Sequence, residues 1–243
     1  MLIDAHVHIF PNVDGYGPKG HTHGVGYGRI DAGDGIAQDV LPAINENTSH
    51  TLQMLLHEMR QAQVDKAVLI LCPCYGDWSE YVLQACRDYP EQFTASAFFD
   101  PWSPAARQYY AEKLEGSLWK NIKIEFSEAG GLYGVYPGVQ LDAPELRWLW
   151  EAMEAGGKTV SFDLGRPGDG SYQTDQIASI AKRHPGLKIV LCHMGQPSRA
   201  AERNPELWSA WLEQIRLGTL PNVWFDLSAL PYLSLIHISE PTR

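Results

Sequence analysis

Seven short runs of leucine, isoleucine, valine and aromatic residues alternate along this chain with segments whose apolar residues recur at helical spacing. The runs predict strands at residues 2–8, 66–72, 93–99, 121–126, 158–164, 188–193 and 222–228. The intervening segments predict helices at 51–63, 79–88, 104–114, 144–154, 172–183 and 205–217, the fourth with Asp142 as an N-cap and Gly156-Gly157 as its stop. Strands this continuously apolar are buried on both faces, which implies a parallel sheet covered by helices. Such a sheet either stays open and doubly wound or curls into a barrel, and periodicity alone does not choose between them. No Gly-x-Gly-x-x-Gly follows the first strand, which removes support from the dinucleotide-binding open sheet. The length of 243 residues is near the roughly 250 of a complete (β/α)8 barrel. Residues 10–49, rich in Gly, Asp and His, read as a long insertion.

The formal net charge of −10 argues against a nucleic-acid or anionic-membrane surface, since both require clustered Lys and Arg. No apolar stretch approaches the 18 or more residues of a membrane helix, and the N-terminus enters a strand-like run without a basic leader. The four cysteines, Cys72, Cys74, Cys86 and Cys192, lack any paired Cys-x-x-Cys spacing. They read as reduced, partly buried thiols of a cytoplasmic protein rather than as a soft-metal site. A small-molecule substrate is the expected partner, and a homo-oligomer is compatible with the sequence.

The residues that carry chemistry cluster at predicted strand ends. His6 and His8 flank Val7 at the end of the first strand, so alternation puts both imidazoles on one face, with Asp4 one step deeper. Two imidazoles on a rigid strand suit one Zn²⁺, although a metal-free histidine pair is an equal reading of that tripeptide in isolation. His193 ends the sixth strand and suits a ligand or a general base near neutral pH. Asp163 ends the fifth, where it would bind metal, orient substrate or cap the turn. Lys123 and Glu125 share a face of the fourth strand; facing inward they are substrate or supporting groups, facing outward they pack against helices. Asp226 and Ser228 raise the same question on the seventh strand. His21 and His23 form a second His-x-His within the insertion, read as a substrate lid or surface feature with Tyr16, Tyr27 and Arg29, metal binding being the lesser alternative. His50, His57 and His184 read as surface or packing residues, and Trp148, Trp150, Trp208 and Trp211 as packing on helices.

With these motifs in place the chain resembles the amidohydrolase-related family of metal-dependent barrels, a family of hydrolases, lactonases and non-oxidative decarboxylases. The matching segments are Ile3-Asp4-Ala5-His6-Val7-His8-Ile9-Phe10, Phe162-Asp163-Leu164-Gly165-Arg166-Pro167, residues 184–195, and Asn222-Val223-Trp224-Phe225-Asp226-Leu227-Ser228. The resemblance implies an α/β fold, a (β/α)8 TIM-like barrel, here incomplete with about seven strands. It implies one divalent metal, zinc foremost, with His6 and His8 as ligands and His193 contacting substrate or activating metal-bound water. Asp163 stands where the family places a metal-binding histidine and is the third candidate ligand; Lys123, Glu125 and Arg166 are candidate substrate contacts. Hydrolysis of an amide, ester or lactone is the expected reaction. Non-oxidative decarboxylation is the alternative on the same fold, and a metal-free binding protein or inactive fragment is the alternative outside catalysis.

The end of the chain departs from this pattern. Residues 233–243, Leu-Ser-Leu-Ile-His-Ile-Ser-Glu-Pro-Thr-Arg, are identified as the translation of an adapter used in DNA library preparation. The expected barrel domain is therefore 1–232, with 233–243 foreign to it, His237 without function, and the family's eighth-strand aspartate not assignable to any residue here.

Overall fold

The computed structural model describes residues 1–43 and 46–229. The adapter-like segment 233–243 lies outside them. The parallel strands are β1 (Ile3–Val7), β6 (Lys66–Ile70), β7 (Phe93–Phe98), β8 (Trp119–Glu125), β9 (Thr159–Asp163), β10 (Lys188–Leu191) and β11 (Val223–Phe225). They form a seven-stranded sheet among the described residues, ordered β1-β6-β7-β8-β9-β10-β11. Between β1 and β6 lie four further strands, β2 (Asp14–Gly17), β3 (Gly20–Gly26), β4 (Arg29–Asp31) and β5 (Ala37–Asp39). The strand order decides what periodicity could not. A doubly wound sheet reverses direction at a switch point, whereas here every parallel strand neighbours the ones before and after it in sequence, as in a barrel. The fold is thus an incomplete (β/α)8 TIM-like barrel.

Six of the eight helices among the described residues fall in the segments that amphipathic spacing marked; the two short helices at 132–135 and 199–202 were not expected. The eight are α1 (Leu52–Ala62), α2 (Ser79–Asp88), α3 (Ala106–Tyr109), α4 (Leu132–Val135), α5 (Arg147–Ala155), α6 (Thr174–Arg183), α7 (Arg199–Glu202) and α8 (Pro205–Ile215). Thr51 caps α1 by accepting the Met54 N–H, and Asn204 caps α8 by accepting the Glu206 and Leu207 N–H groups. α3 passes into a π-helical turn at Tyr110–Leu114. Asp142 does not serve as the expected cap: its carboxylate takes the Arg183 guanidinium at 2.9 Å, and Pro144–Leu146 begins as a 3-10 turn instead. No helix among the described residues is long and apolar enough to cross a membrane.

The chain forms two compact units, one comprising Met1–Phe98 and Ser117–Asn121, the other Phe99–Gly116 and the described residues from Ile122 onward. In the first, β1 pairs in parallel with β6, and β6 with β7. Leu69, Ile70, Val82 and Phe93 are buried there. The insertion is not the loop expected from its composition, because β2 to β5 pair in sequence as an antiparallel sheet. Phe10, Val13 and Ile30 form its small apolar core, with Tyr75 and Trp78 packed against it. Tyr27 and Gly28, both at positive φ, make the tight turn between β3 and β4. A Cβ at Gly28 would lie 2.1 Å from the Leu41 carbonyl oxygen, so no other residue fits.

In the second unit β9 pairs with β10 and β10 with β11, all in parallel. Ile122, Ile124, Val160, Phe162 and Ile189 are completely buried. Asn222 precedes β11, and its amide donates to the carbonyls of Ala181, His184 and Leu187 at 3.1, 3.0 and 3.0 Å. One side chain thus closes the end of α6 and the turn into β10. Asn222→Ala leaves buried carbonyls without their donor, a loss of about 1–3 kcal/mol. Urea titration of the variant should give a lower midpoint at an unchanged slope.

Candidate functional site

His6 and His8 occupy the C-terminal end of β1, where the register against β6 shifts between Asp4 and Val7. Their rings meet edge-on with centroids 5.1 Å apart. Both line a cleft of about 220 Å³ within the first unit, together with Asp4, Phe10, His50, Glu58 and Tyr75. His8 Nδ1 donates to the Ile70 carbonyl at 2.8 Å. A carbonyl only accepts, so Nδ1 carries the hydrogen, and Nε2 is the nitrogen that a metal would take. This is the tautomer that metal-binding histidines adopt, with the other nitrogen tied to a carbonyl. The donor set on β1 therefore fits a divalent metal.

Two neighbours of this pair escaped sequence reading. His50 donates through Nδ1 to the His8 carbonyl at 2.7 Å and meets Glu58 through Nε2 at 3.0 Å. Its main chain exchanges hydrogen bonds with Phe10, at 2.8 and 3.0 Å. Tyr75 stacks on Phe10 with centroids 4.3 Å apart and stands 5.1 Å from the His8 ring. His50 is thus a fastening for the strand end, the packing side of the surface-or-packing expectation. His21 and His23 lie exposed and stacked on β3, with His21 Nε2 2.7 Å from Asp14 Oδ1.

The second unit assembles Asp163, His193, Asp226 and Ser228. His193 lies past the end of β10, in a 3-10 turn at Cys192–Gly195. His193, Met194 and Gln196 all take left-handed conformations, with φ of 58°, 51° and 52°. Each costs a non-glycine residue on the order of 1–3 kcal/mol, so the turn needs fastening. Asp226 accepts the His193 N–H at 2.8 Å, its own carbonyl takes the Met194 N–H at 2.8 Å, and the Trp211 indole and Tyr172 hydroxyl donate to the Met194 and Gly195 carbonyls, each at 2.9 Å.

The bonds around the ring fix its charge. His193 Nε2 lies 3.0 Å from Asp163 Oδ2, and Nδ1 lies 2.8 Å from Ser228 Oγ. Ser228 gives its own hydrogen to the Asp226 carboxylate, so Oγ must accept from the ring. Both ring nitrogens therefore donate, and His193 is an imidazolium. Burial disfavours that charge, but the hydrogen bond and charge of Asp163 outweigh it and hold the imidazole above its ordinary pKa. Burial likewise opposes ionisation of Asp163, yet the His193 hydrogen bond and the nearby Lys123 ammonium hold the carboxyl well below the usual range. Gln196 Nε2 and the Gly165 N–H also donate to Asp163 Oδ1.

Lys123 and Glu125 share the polar face of β8, alternating with the fully buried Ile122 and Ile124, and pair at 3.1 Å. Burial pushes the Glu125 carboxyl up, Lys123 pulls it back, and the Ser127 hydroxyl donates to its other oxygen at 2.8 Å. Within the second unit, then, Lys123, Glu125, Asp163 and His193 lie in one electrostatic neighbourhood. Arg166 stands apart, exposed, with its main-chain N–H on the Asp169 carboxylate. His184 is a packing residue, buried and 3.0 Å from Glu154.

Residues 3–240 match the family model described as amidohydrolase. The chain belongs to the amidohydrolase family. A probable 2-pyrone-4,6-dicarboxylic acid hydrolase from Acinetobacter baumannii, with citric acid bound, aligns at a TM-score of 0.61 and 15% identity, over 92% of this chain and 68% of that one. An amidohydrolase from Burkholderia multivorans with bound HEPES aligns at 0.66 and 17%, over 100% of this chain and 75% of that one. A zinc-bound amidohydrolase from the same organism aligns at 0.64 and 18%, over 100% and 74%. At such identities the likeness is one of fold. No curated protein matches by sequence.

The His193 assignment is measurable in this amidohydrolase in the presence of a chelator. Asp163→Asn removes the anion and leaves the burial, so the His193 pKa should fall from above to below the ordinary value of about 6.5. Imidazole NMR titration reads this directly. The sign for stability follows. The raised His193 contributes stability that is full below its unfolded pKa and lost as pH rises through the folded value, while the depressed Asp163 loses its contribution as pH falls. Asp163→Asn should therefore flatten the pH profile of the unfolding midpoint on both sides.

Proposed function

We propose that this amidohydrolase is a metal-dependent hydrolase of a small-molecule amide, ester or lactone. The observation that carries the reading is the His8 tautomer, which turns Nε2 of a strand-end histidine into a ligand nitrogen beside His6. His6 and His8 would hold the metal, and the zinc-bound relative supports zinc as its identity. A bound divalent ion polarises a carbonyl and brings the pKa of water toward ~7.

The remaining roles fall to the chain's own groups. His193, kept cationic by Asp163, offers positive charge and N–H donors to the negative charge that builds on a substrate oxygen. Asp163 serves this reading better as the partner of His193 than as a ligand, since both its oxygens accept hydrogen bonds within the second unit. Asp226 and Ser228 fix the ring's other nitrogen. Lys123 and Glu125 orient a polar substrate group. Small-molecule recognition fits the acidic overall charge, which argues against a nucleic-acid surface.

Two measurements test this. Zinc should bind at about one equivalent per chain and be lost in the His6→Ala/His8→Ala double variant, read by metal analysis; full retention overturns the ligand assignment. A panel of lactones, esters and aromatic carboxylic acids should give zinc-dependent ring opening or ester cleavage. Release of carbon dioxide from the acids, with no hydrolysis, would replace this reading with the decarboxylase. His193→Gln should lower kcat on a hydrolysed substrate by about 10²–10³ with zinc content unchanged.

A further inference from the structure

Cys72 and Cys74 leave β6 on a loop that is already clamped. The Tyr16 N–H donates to the Pro73 carbonyl at 2.9 Å, and the Asp14 N–H to the Tyr75 carbonyl at 3.1 Å. The Thr22 hydroxyl donates to the Cys74 carbonyl at 2.7 Å. Thr22 is buried although both its neighbours on β3 are exposed, so the antiparallel sheet presses onto this loop. The fit leaves no spare room: a Cβ at Gly15 would lie 2.2 Å from the Pro73 oxygen. The loop therefore holds its two thiols where the backbone puts them. Their Sγ atoms lie 2.7 Å apart, far inside ordinary sulfur–sulfur contact and approaching the ~2.05 Å of a disulfide.

We propose that Cys72 and Cys74 form a redox-active dithiol, oxidised to an intraloop disulfide by a small disulfide such as oxidised glutathione. In the first step one protein thiolate attacks a glutathione sulfur, the glutathione S–S bond breaks, and one glutathione thiolate leaves. In the second step the other protein thiolate attacks the mixed disulfide and displaces the remaining glutathione. Two protein thiols become one disulfide, one oxidised glutathione becomes two reduced ones, and the two thiol protons pass to them. Both cysteines are half-buried, so a small oxidant reaches them. The other two thiols act as internal controls. Cys86 and Cys192 are buried, and burial pushes the Cys86 thiol up to about 11 and Cys192 well above the ordinary range, so neither supplies a thiolate at neutral pH.

The bond would close next to the cleft. Tyr75, which follows Cys74 directly, stands against His8 and Phe10. Oxidation would fix the loop carrying that ring and join the grip of the antiparallel sheet to a covalent link.

The test is thiol mapping on the full chain. The protein is treated with oxidised glutathione at neutral pH, denatured, alkylated and digested. Cys72 and Cys74 should escape alkylation together, in one peptide lighter by two hydrogens, while Cys86 and Cys192 are alkylated in full; dithiothreitol should restore both sites. Cys72→Ser and Cys74→Ser should each retain a stable glutathione adduct on the remaining thiol. Three results overturn the proposal: all four thiols alkylated after treatment, a disulfide involving Cys86 or Cys192, or glutathione adducts persisting on Cys72 or Cys74 of the unsubstituted chain. The serine variants change one atom each, and their circular dichroism spectra should match that of the parent.

Discussion

A buried imidazole with an oxygen acceptor on each nitrogen has to carry two hydrogens and a positive charge. Much of the second unit is arranged to keep His193 in that condition. Burial and the Lys123 ammonium both favour the neutral ring, and they lose chiefly because Asp163 remains ionised beside it, with Asp226 adding to its effect. Asp163 in turn remains ionised because His193, Gln196 and the Gly165 N–H supply donors that replace water. The two charges are thus mutually conditional. Neither would be tolerable at that depth alone, which is why a missing partner has consequences well beyond one hydrogen bond.

The barrel-type strand succession was legible because its strands are short, largely apolar segments set between amphipathic ones, and that alternation survives any uncertainty about their ends. His6 and His8 were legible for a related reason: alternation on a strand is a geometric rule that needs no tertiary information. The charge state of His193 was not legible. It depends on Ser228 and Asp226, thirty-five and thirty-three residues away, and on which way one hydroxyl hydrogen points. His50 was hidden by the same kind of distance, because its fastening of the His8 carbonyl spans forty-two residues.

The insertion was misread for a different reason. Its strands are only three to seven residues long, and the two longer ones are rich in glycine, so they lack the apolar alternation by which a half-buried strand is recognised. Its tight turn is built from Tyr27 and Gly28, and a tyrosine at positive φ is not a residue from which a hairpin is normally inferred. Asp142 illustrates the converse. Its position before a helix satisfied the local rule for a cap, and a tertiary ion pair with Arg183 took the carboxylate elsewhere.

The left-handed run at residues 193–196 has an implication for how such an enzyme can be improved. Met194 and Gln196 occupy a conformation that glycine adopts freely and they do not. Selection for heat tolerance would therefore be drawn to these two positions, where a glycine relieves backbone strain in the folded chain. The same exchange would widen the range of directions in which the neighbouring imidazolium can point. Robustness and the aim of the imidazole are set against each other within four consecutive residues, and a variant library that scored only thermal survival would trade the second for the first there.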